Sequence, residues 1–467
     1  MTNGILTSRR RLIAGSAASL ILPATALGSG RALAQTAGGA QAAGGAAMSG
    51  SAVIDVDRAR ADPIPIALAP FAVGGGDGAE MAQGLLGVIS NDLARCGLFR
   101  PLDSSSFVER NPSVEAPNFA NWKVIGAQAL VTGRVTGGGG SVRVEFRLWD
   151  VLPGQQIQGT AYTATSSNWR RIGHIIADVI YERLLGEKGY FDTRICYISG
   201  TGPKARRIKR LAIMDQDGEN NKFLTDGGFL ALTPRFHPTS DEIAFMSYLN
   251  NKPRVYLFNL GTGRQRLLGN FDGITLSPRF SPDGGSVIMA QTNSTGGSSI
   301  VEVSVNGGGG RKLTDGSAID VSPCFSPDSS QIVFESDRGG SQQLYVMSAS
   351  GGGARRISYG NGKYATPVWS PRGDLIAFTR IGGNSFAIGV MRPDGSGERI
   401  LTESWYCEGP TFCPNGRVIA YFRETSSNAS GAGFSSRMYT IDVTGFNERV
   451  LNTPTDASDP AWSPLGA

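Results

Sequence analysis

Pro234-Arg-Phe-His-Pro238 is a phrase that this 467-residue chain writes six times. It returns as Pro278-Arg-Phe-Ser-Pro282, Pro323-Cys-Phe-Ser-Pro327, Pro367-Val-Trp-Ser-Pro371, Pro410-Thr-Phe-Cys-Pro414 and Pro460-Ala-Trp-Ser-Pro464. The leading prolines are 44, 45, 44, 43 and 50 residues apart. A fixed period in the forties with strand-like content marks a radial array of four-stranded sheets, so six copies predict a six-bladed β-propeller.

The text around the phrase has the grammar of a blade. Turn residues such as Asp283-Gly284, Asp328-Ser329 or Asn415-Gly416 follow it, because Gly and Asn tolerate positive φ. Alternating strands come next, at residues 242–247, 331–336 and 375–379. A third strand (344–347, 438–441), a turn such as Asp394-Gly395 and a last strand ending at 314 or 402 complete each copy. The sixth copy stops after its first strand. Residues 193–199, 209–214 and 222–225 read as the three it lacks, so residues 460–467 should close the ring against 193–225 and leave no open sheet edge.

Upstream lies a different kind of sequence. Arg9, Arg10 and Arg11 precede an apolar run over 12–27, and Ala32-Leu-Ala34 is a small-x-small cleavage site. Residues 1–34 therefore read as an export signal, and 8–13 also fit the twin-arginine pattern. The run is too short and too interrupted by Gly, Ser and Pro23 for a membrane span. Without residues 1–34, 40 Lys and Arg face 39 Asp and Glu, a net charge of +1. Bulk charge thus gives nucleic-acid binding no support. The basic run 204–210 reads as a solvated loop.

Residues 35–62 read as an Ala/Gly-rich spacer followed by a charged, alternating recognition segment over 51–62. Residues 63–188 read as an α+β domain. It has a buried strand at 64–71, a helix at 79–95 ended by Gly97, and a short helix at 118–125. Strands follow at 128–136, 142–151 and 156–165, then a helix capped by Ser166 or Ser167. Residues 189–467 are then the all-β propeller, and the chain is multi-domain.

Catalytic signals are poor. His174 and His237 are the only histidines, and neither has a nucleophile or metal-ligand partner at useful spacing. No Gly-x-Ser-x-Gly elbow occurs, and the Gly-rich tracts sit at hairpin positions. The stretch 215–219 begins like a calcium loop but lacks its distal carboxylate, and reads as a turn. No catalytic residue, metal ligand or cofactor is expected. The five cysteines have no framework spacing. Cys324 and Cys413 read as small packing residues, and a Cys407–Cys413 pair stays open in an oxidising compartment.

Binding is expected instead in the segments that lead into each phrase: 228–233, 271–277, 317–322, 362–366, 404–409 and 456–459. They join the outer strand of one blade to the inner strand of the next, so all six should emerge on one face around the channel mouth. Within them Tyr364, Trp405 and Tyr406 are expected as exposed aromatic anchors. Thr366 and Glu408 stand beside them.

Leader, small α/β domain and six repeats of Pro-x-[Phe/Trp]-Ser-Pro resemble the TolB family of the Tol–Pal system. The likeness runs over about residues 51–467 and includes Ile66-Ala-Leu-Ala-Pro-Phe71 as the first strand of the family's N-terminal domain. The resemblance implies a periplasmic, monomeric scaffold without enzymatic activity. Its loop face would bind the lipoprotein Pal, with Thr275, Ser277, Asp320, Ser322, Tyr364, Thr366, Tyr406 and Glu408 as contacts. Its N-terminal segment, with Val53, Ile54, Asp55, Val56 and Asp57, would bind the C-terminal domain of TolA. The two contacts would link the membranes, support outer-membrane integrity and act at cell division. The competing reading is a periplasmic hydrolase or lyase working in the channel, which needs clustered acids or histidines on inner strands.

Overall fold

The computed structural model describes residues 62–466 except 75–77, 204–205, 427 and 429–432. The leader, the spacer and the segment carrying Val53 to Asp57 lie outside the described residues.

The first domain is a mixed sheet under two helices. Strand β1 (Ile64–Leu68) runs parallel to both β3 (Phe99–Pro101) and β4 (Ala129–Gly138), and the short β2 (Ala72–Gly74) also pairs with β4. Antiparallel strands β5 (Ser141–Asp150) and β6 (Gln155–Thr165) extend it. Alternate residues Val142, Val144, Phe146 and Leu148 of β5 are buried, as a half-covered strand requires. Helix α1 (Gly78–Arg95) buries Leu85, Val88, Ile89 and Leu93. Helix α2 (Phe119–Val124) is short and capped by Asn118, whose side chain accepts from Ala120 N at 3.2 Å. Helix α3 (Trp169–Leu185) buries Ile172, Ile176 and Ile180. It lies close to α1, since a Cβ on Gly173 would meet Val88 Cγ1 at 2.8 Å.

The expected cap of α3 is corrected. Ser166 and Ser167 form a 3-10 turn with Asn168, and the helix starts at Trp169 with no side-chain cap bond. Its other end behaves as read, with Gly186 in the left-handed conformation at φ 77° and its N–H bonded to Glu182 O.

The second part is a six-bladed propeller of four-stranded antiparallel sheets. Five blades are continuous in sequence, with inner strands Ala231–Phe236, Thr275–Phe280, Asp320–Phe325, Lys363–Trp369 and Cys407–Phe412. The sixth is built from both ends of the propeller sequence. Strand Asp456–Trp462 pairs with β7 (Arg194–Thr201), followed by β8 (Ile208–Asp215) and β9 (Lys222–Phe223). Ser463 N donates to Arg194 O and Arg194 N to Ser463 Oγ, which pins the seam. The basic run read as a loop is corrected in part: Ile208, Lys209 and Arg210 begin β8, and Arg207 pairs with Asp456.

The repeated phrase has a local cause. Ser281 Oγ donates to Asp283 Oδ1 and accepts from Ser286 N, which locks the turn after the inner strand. Ser326 does the same with Asp328 and Gln331. His237 fills the serine's place, its Nδ1 accepting from Thr239 N and Ser240 N. Cys413 Sγ likewise accepts from Val418 N. Both residues are structural in these positions. All five cysteines are free and buried, so the Cys407–Cys413 pair does not form; Cys407 Sγ donates to Phe386 O and Cys413 Sγ to Asn415 Oδ1.

Antiparallel order divides each blade's connections between two faces. First-to-second and third-to-fourth turns share one face; second-to-third hairpins and the crossings between blades share the other. Every polar contact recorded from the α/β domain reaches the first, turn-bearing face. Arg372 Nη2 meets Glu187 at 2.8 Å, Asn415 Nδ2 donates to Lys188 O, and Asn447 Nδ2 donates to Arg95 O. One apolar cluster runs from Leu85 and Ile176 through Tyr190 and Phe191 to Trp462, Val418 and Leu451, so the two parts share a core. Among the described residues no helix is long and apolar enough to cross a membrane.

Candidate functional site

The crossings between blades open on the face away from the α/β domain, and there the chain does something unusual six times. Each inner strand carries a register shift just before the phrase, at Leu232/Arg235, Leu276/Arg279, Val321/Cys324, Ala365/Val368, Glu408/Thr411 and Ser458/Ala461. The residue before each proline has positive φ: Thr233 48°, Ser277 54°, Ser322 53°, Thr366 48°, Gly409 71° and Asp459 52°. Five of these six are not glycine. A β-branched or polar residue held there stores about 1–3 kcal/mol of strain, which the surrounding blades must offset. The bulge re-aims the strand as it enters the channel.

Ser277, Ser322 and Thr366 were singled out from sequence, and the structure places them at equivalent points of this ring. Their counterparts Thr233, Gly409 and Asp459 were missed, although the same position before proline would have found them. The segments that were read as loops are corrected: their last residues already belong to the inner strands.

Other candidates prove to be supports. Asp320 is fully buried and holds Arg338 Nη2 through both carboxylate oxygens at 3.0 Å. Arg338 sits in the adjoining hairpin and lies over Phe334 and Tyr345. Thr275 is buried, its Oγ1 accepting from Val255 N. Tyr364, expected as an exposed anchor, is fully buried and donates its hydroxyl to Glu398 Oε1 at 2.7 Å. Burial first, then the Glu398 carboxylate, pushes its ionisation far above the usual phenol range. The Phe378 ring beside Tyr364 explains the error: the strand begins at Lys363, so the tyrosine falls on a core position. Tyr406 is half-buried against Phe386 and Phe422 and donates to Glu408 Oε2 at 2.5 Å. Thr366 Oγ1 shares a hydrogen bond with Thr379 Oγ1, and its N–H donates to Glu335 Oε2 of the preceding blade.

Trp405 alone of the expected aromatics is strongly exposed, at 48%. It has unforeseen company. Phe229, Ile274 and Tyr359, the last 70% exposed, occupy the crossings into three other blades. Four of six crossings therefore present a large apolar side chain on the same face. Single exposed hydrophobes mean little, but four at equivalent points of one rim make a candidate interaction surface.

A second cluster lies at the junction of the two parts. His174 Nδ1 and Asp92 Oδ2 are 2.6 Å apart, and Gln216 Nε2 donates to Asp92 Oδ1 at 2.7 Å. His174 Nε2 faces Asp215 and Asp217 at 3.9 and 4.0 Å. Burial alone would lower the imidazole's proton affinity, but Asp92, Asp217 and Asp215 outweigh it and push it to about 9. Asp92, His174 and Asp217 are spaced for a cation, yet Arg170 and Gln216 already engage their carboxylates. The group acts as a charged clasp between α1, α3 and the turn after β8 in the sixth blade.

Comparison with known proteins agrees with this layout. Residues 52–157 match the TolB amino-terminal domain family, and residues 181–466 match the TolB beta propeller domain family. The chain is 58% identical over 414 residues to the Tol-Pal system protein TolB of Gluconobacter oxydans, covering 88% of each. It is 51% identical over 423 residues to that of Pelagibacter ubique, covering 88% of this chain and 94% of the relative. The crystal structure of TolB from Acinetobacter baumannii superposes with a TM-score of 0.76 at 26% identity, covering 87% of this chain and 98% of that one.

Proposed function

This chain belongs to the TolB family of Tol-Pal system proteins, and from that premise we propose that it is a periplasmic, monomeric scaffold that works by holding partners rather than by chemistry. The observation that carries the reading is the rim of Phe229, Ile274, Tyr359 and Trp405 on the face left open by the α/β domain. A partner domain seated there would bury these anchors, with the strained ring of Ser277, Ser322 and Thr366 beneath it. Pal is the proposed occupant. Asp320, Thr275 and Tyr364 serve it indirectly, by holding the inner strands in place. Glu408 and Tyr406 brace the Trp405 crossing.

The segment around Val53 to Asp57 is the proposed TolA contact, delivered to the periplasm by the leader over residues 1–34. Engagement of both partners would link the two membranes, support outer-membrane integrity and serve constriction at division. If Pal binding biases the segment's release, the coupling must be equal in both directions.

Calorimetry with the periplasmic domain of Pal tests the reading. The parent should bind, Trp405→Ala should weaken binding by about tenfold or more, and Asp320→Ala/Ser322→Ala should weaken it as well. Unaltered affinity in all variants would move the Pal site off this face.

A further inference from the structure

We propose that the propeller channel holds a small tetrahedral oxyanion, of the phosphate or sulfate class, between Arg235 and Arg279. The site is a cavity of about 180 Å³ on the propeller axis, towards the turn-bearing end of the inner strands. Its walls come from five of the six inner strands or the turns that follow them, including Arg235, Arg279, Cys324, Thr411 and Ala461 at the same position of the repeated phrase. Two neighbouring blades supply a guanidinium there; the others supply small or neutral side chains. No aspartate or glutamate lines the cavity.

Arginine stays charged in proteins, so each guanidinium needs compensation. Arg338 has it in Asp320 and Arg417 in Asp442. Arg279 has no such partner among the described residues. Desolvation lowers its proton affinity, and among the described residues the Cys324 thiol is the one titratable group that acts on it. Arg279 is half-buried in the wall of the cavity, and a cation set there without a counter-charge is disfavoured. Arg235 donates from Nη1 to Pro234 O at 2.6 Å, which fixes that arm of its guanidinium at the cavity wall. Thr411 Oγ1 accepts from Trp462 N and keeps its hydroxyl proton to donate.

Two forks and a hydroxyl suit an anion with several acceptor oxygens, since guanidinium matches such groups in paired bonds. A liquid water occupies about 30 Å³, so the cavity admits a four-oxygen anion with some of its hydration. The inference does not rest on the Tol–Pal reading, because the cavity lies at the far end of the channel from the apolar rim.

Thermal denaturation and calorimetry of the purified protein with inorganic phosphate and with sulfate test it, against chloride at equal ionic strength and against acetate. Phosphate or sulfate should raise the melting temperature saturably, and Arg279→Met should weaken that binding on the order of tenfold or more. Arg279→Lys should retain part of it. In anion-free buffer Arg279→Met should be at least as stable as the parent, because it removes an uncompensated charge. Equal responses in parent and Arg279→Met, no response in the parent, or response to acetate alone would each overturn the proposal. So would an Arg279→Met variant clearly less stable in anion-free buffer, since the protein would then already satisfy that charge.

Discussion

The propeller's two faces are built from the same repeat and serve opposite ends. On the turn-bearing face Ser281 and Ser326, and the His237 and Cys413 that stand in the serine's place, lock their turns, and the α/β domain covers part of what remains. Buried polar groups there find partners across the junction, as Asp92 does with His174 and Gln216. The other face keeps its inner-strand residues in strained conformations and leaves four large apolar side chains to solvent. One face carries the contacts that hold the two parts together, and the other carries the strained positions. Stability and binding should therefore separate by face when residues are changed.

The largest effect should come from the closed side. Trp462 ends the closing strand, packs edge-on against Tyr190 at 5.8 Å and donates its indole N–H to Thr193 Oγ1 at 2.8 Å. Trp462→Ala should cost about 3–5 kcal/mol, read as a lower urea midpoint. A variant that unfolds like the parent would show that the seam does not carry the ring.

Next comes a residue of the open side that behaves like the closed one. Asp320→Ala leaves Arg338 without its bidentate partner. Because the arginine is partly solvated, the loss should be about 1–3 kcal/mol rather than the full penalty of a buried pair. Unfolding and Pal binding should fall together in this variant, since it loosens the strand that the partner would meet.

The clasp gives a smaller, pH-dependent signature. His174 is held at about 9 in the folded protein, above the roughly 6.5 of an unfolded imidazole. Its folded pKa is raised, so its contribution is complete below about pH 6.5 and is lost as pH rises through 9. Asp92, Asp215 and Asp217 face the ring, and Arg170 completes the group. The melting temperature should fall across that window in the parent and fall less in His174→Gln. An equal slope in both would remove the imidazole from the clasp's charge balance.

Much of this was legible before any coordinates, and the reason is periodicity. Six copies of one phrase report their own spacing, so the blade count, the order of strands and the closing strand could be read by comparing copies. The strands of the first domain could be read because alternation in β5 and helical spacing in α1 and α3 are strong local signals. What could not be read depends on contacts between copies. Tyr364 lies in a crossing by sequence, yet one residue of extra strand turns it into the core. Asp320 is an acid near a channel mouth by sequence, yet its partner Arg338 is 18 residues away in the next hairpin. Phe229, Ile274 and Tyr359 share no motif, and only the ring geometry brings them onto one rim with Trp405.

That rim should be nearly silent in stability. Trp405→Ala removes a half-exposed side chain, so unfolding should move within about 0.5 kcal/mol while Pal affinity drops. A large loss of stability instead would make Trp405 a structural cover for Tyr406, whose ring centroid is 6.2 Å away.

The finest test of the comparison is the strain itself. Gly409 makes the same bulge as its five counterparts without steric cost, so the fold does not require a side chain at that position. Ser277→Gly would bring a second blade to that state, and among the described residues the Ser277 side chain makes no hydrogen bond that would be lost with it. Relief of the left-handed strain, about 1–2 kcal/mol, is opposed by the extra freedom of glycine in the unfolded chain, about 1 kcal/mol. Net stability should therefore stay within about 1 kcal/mol of the parent. Binding discriminates where stability does not. If the bulges pre-set the rim for its partner, Ser277→Gly should lower Pal affinity chiefly through faster dissociation, measurable by surface-binding kinetics. Unchanged kinetics would mean that the ring of strained residues only turns the strand into the channel, and that the apolar rim acts alone.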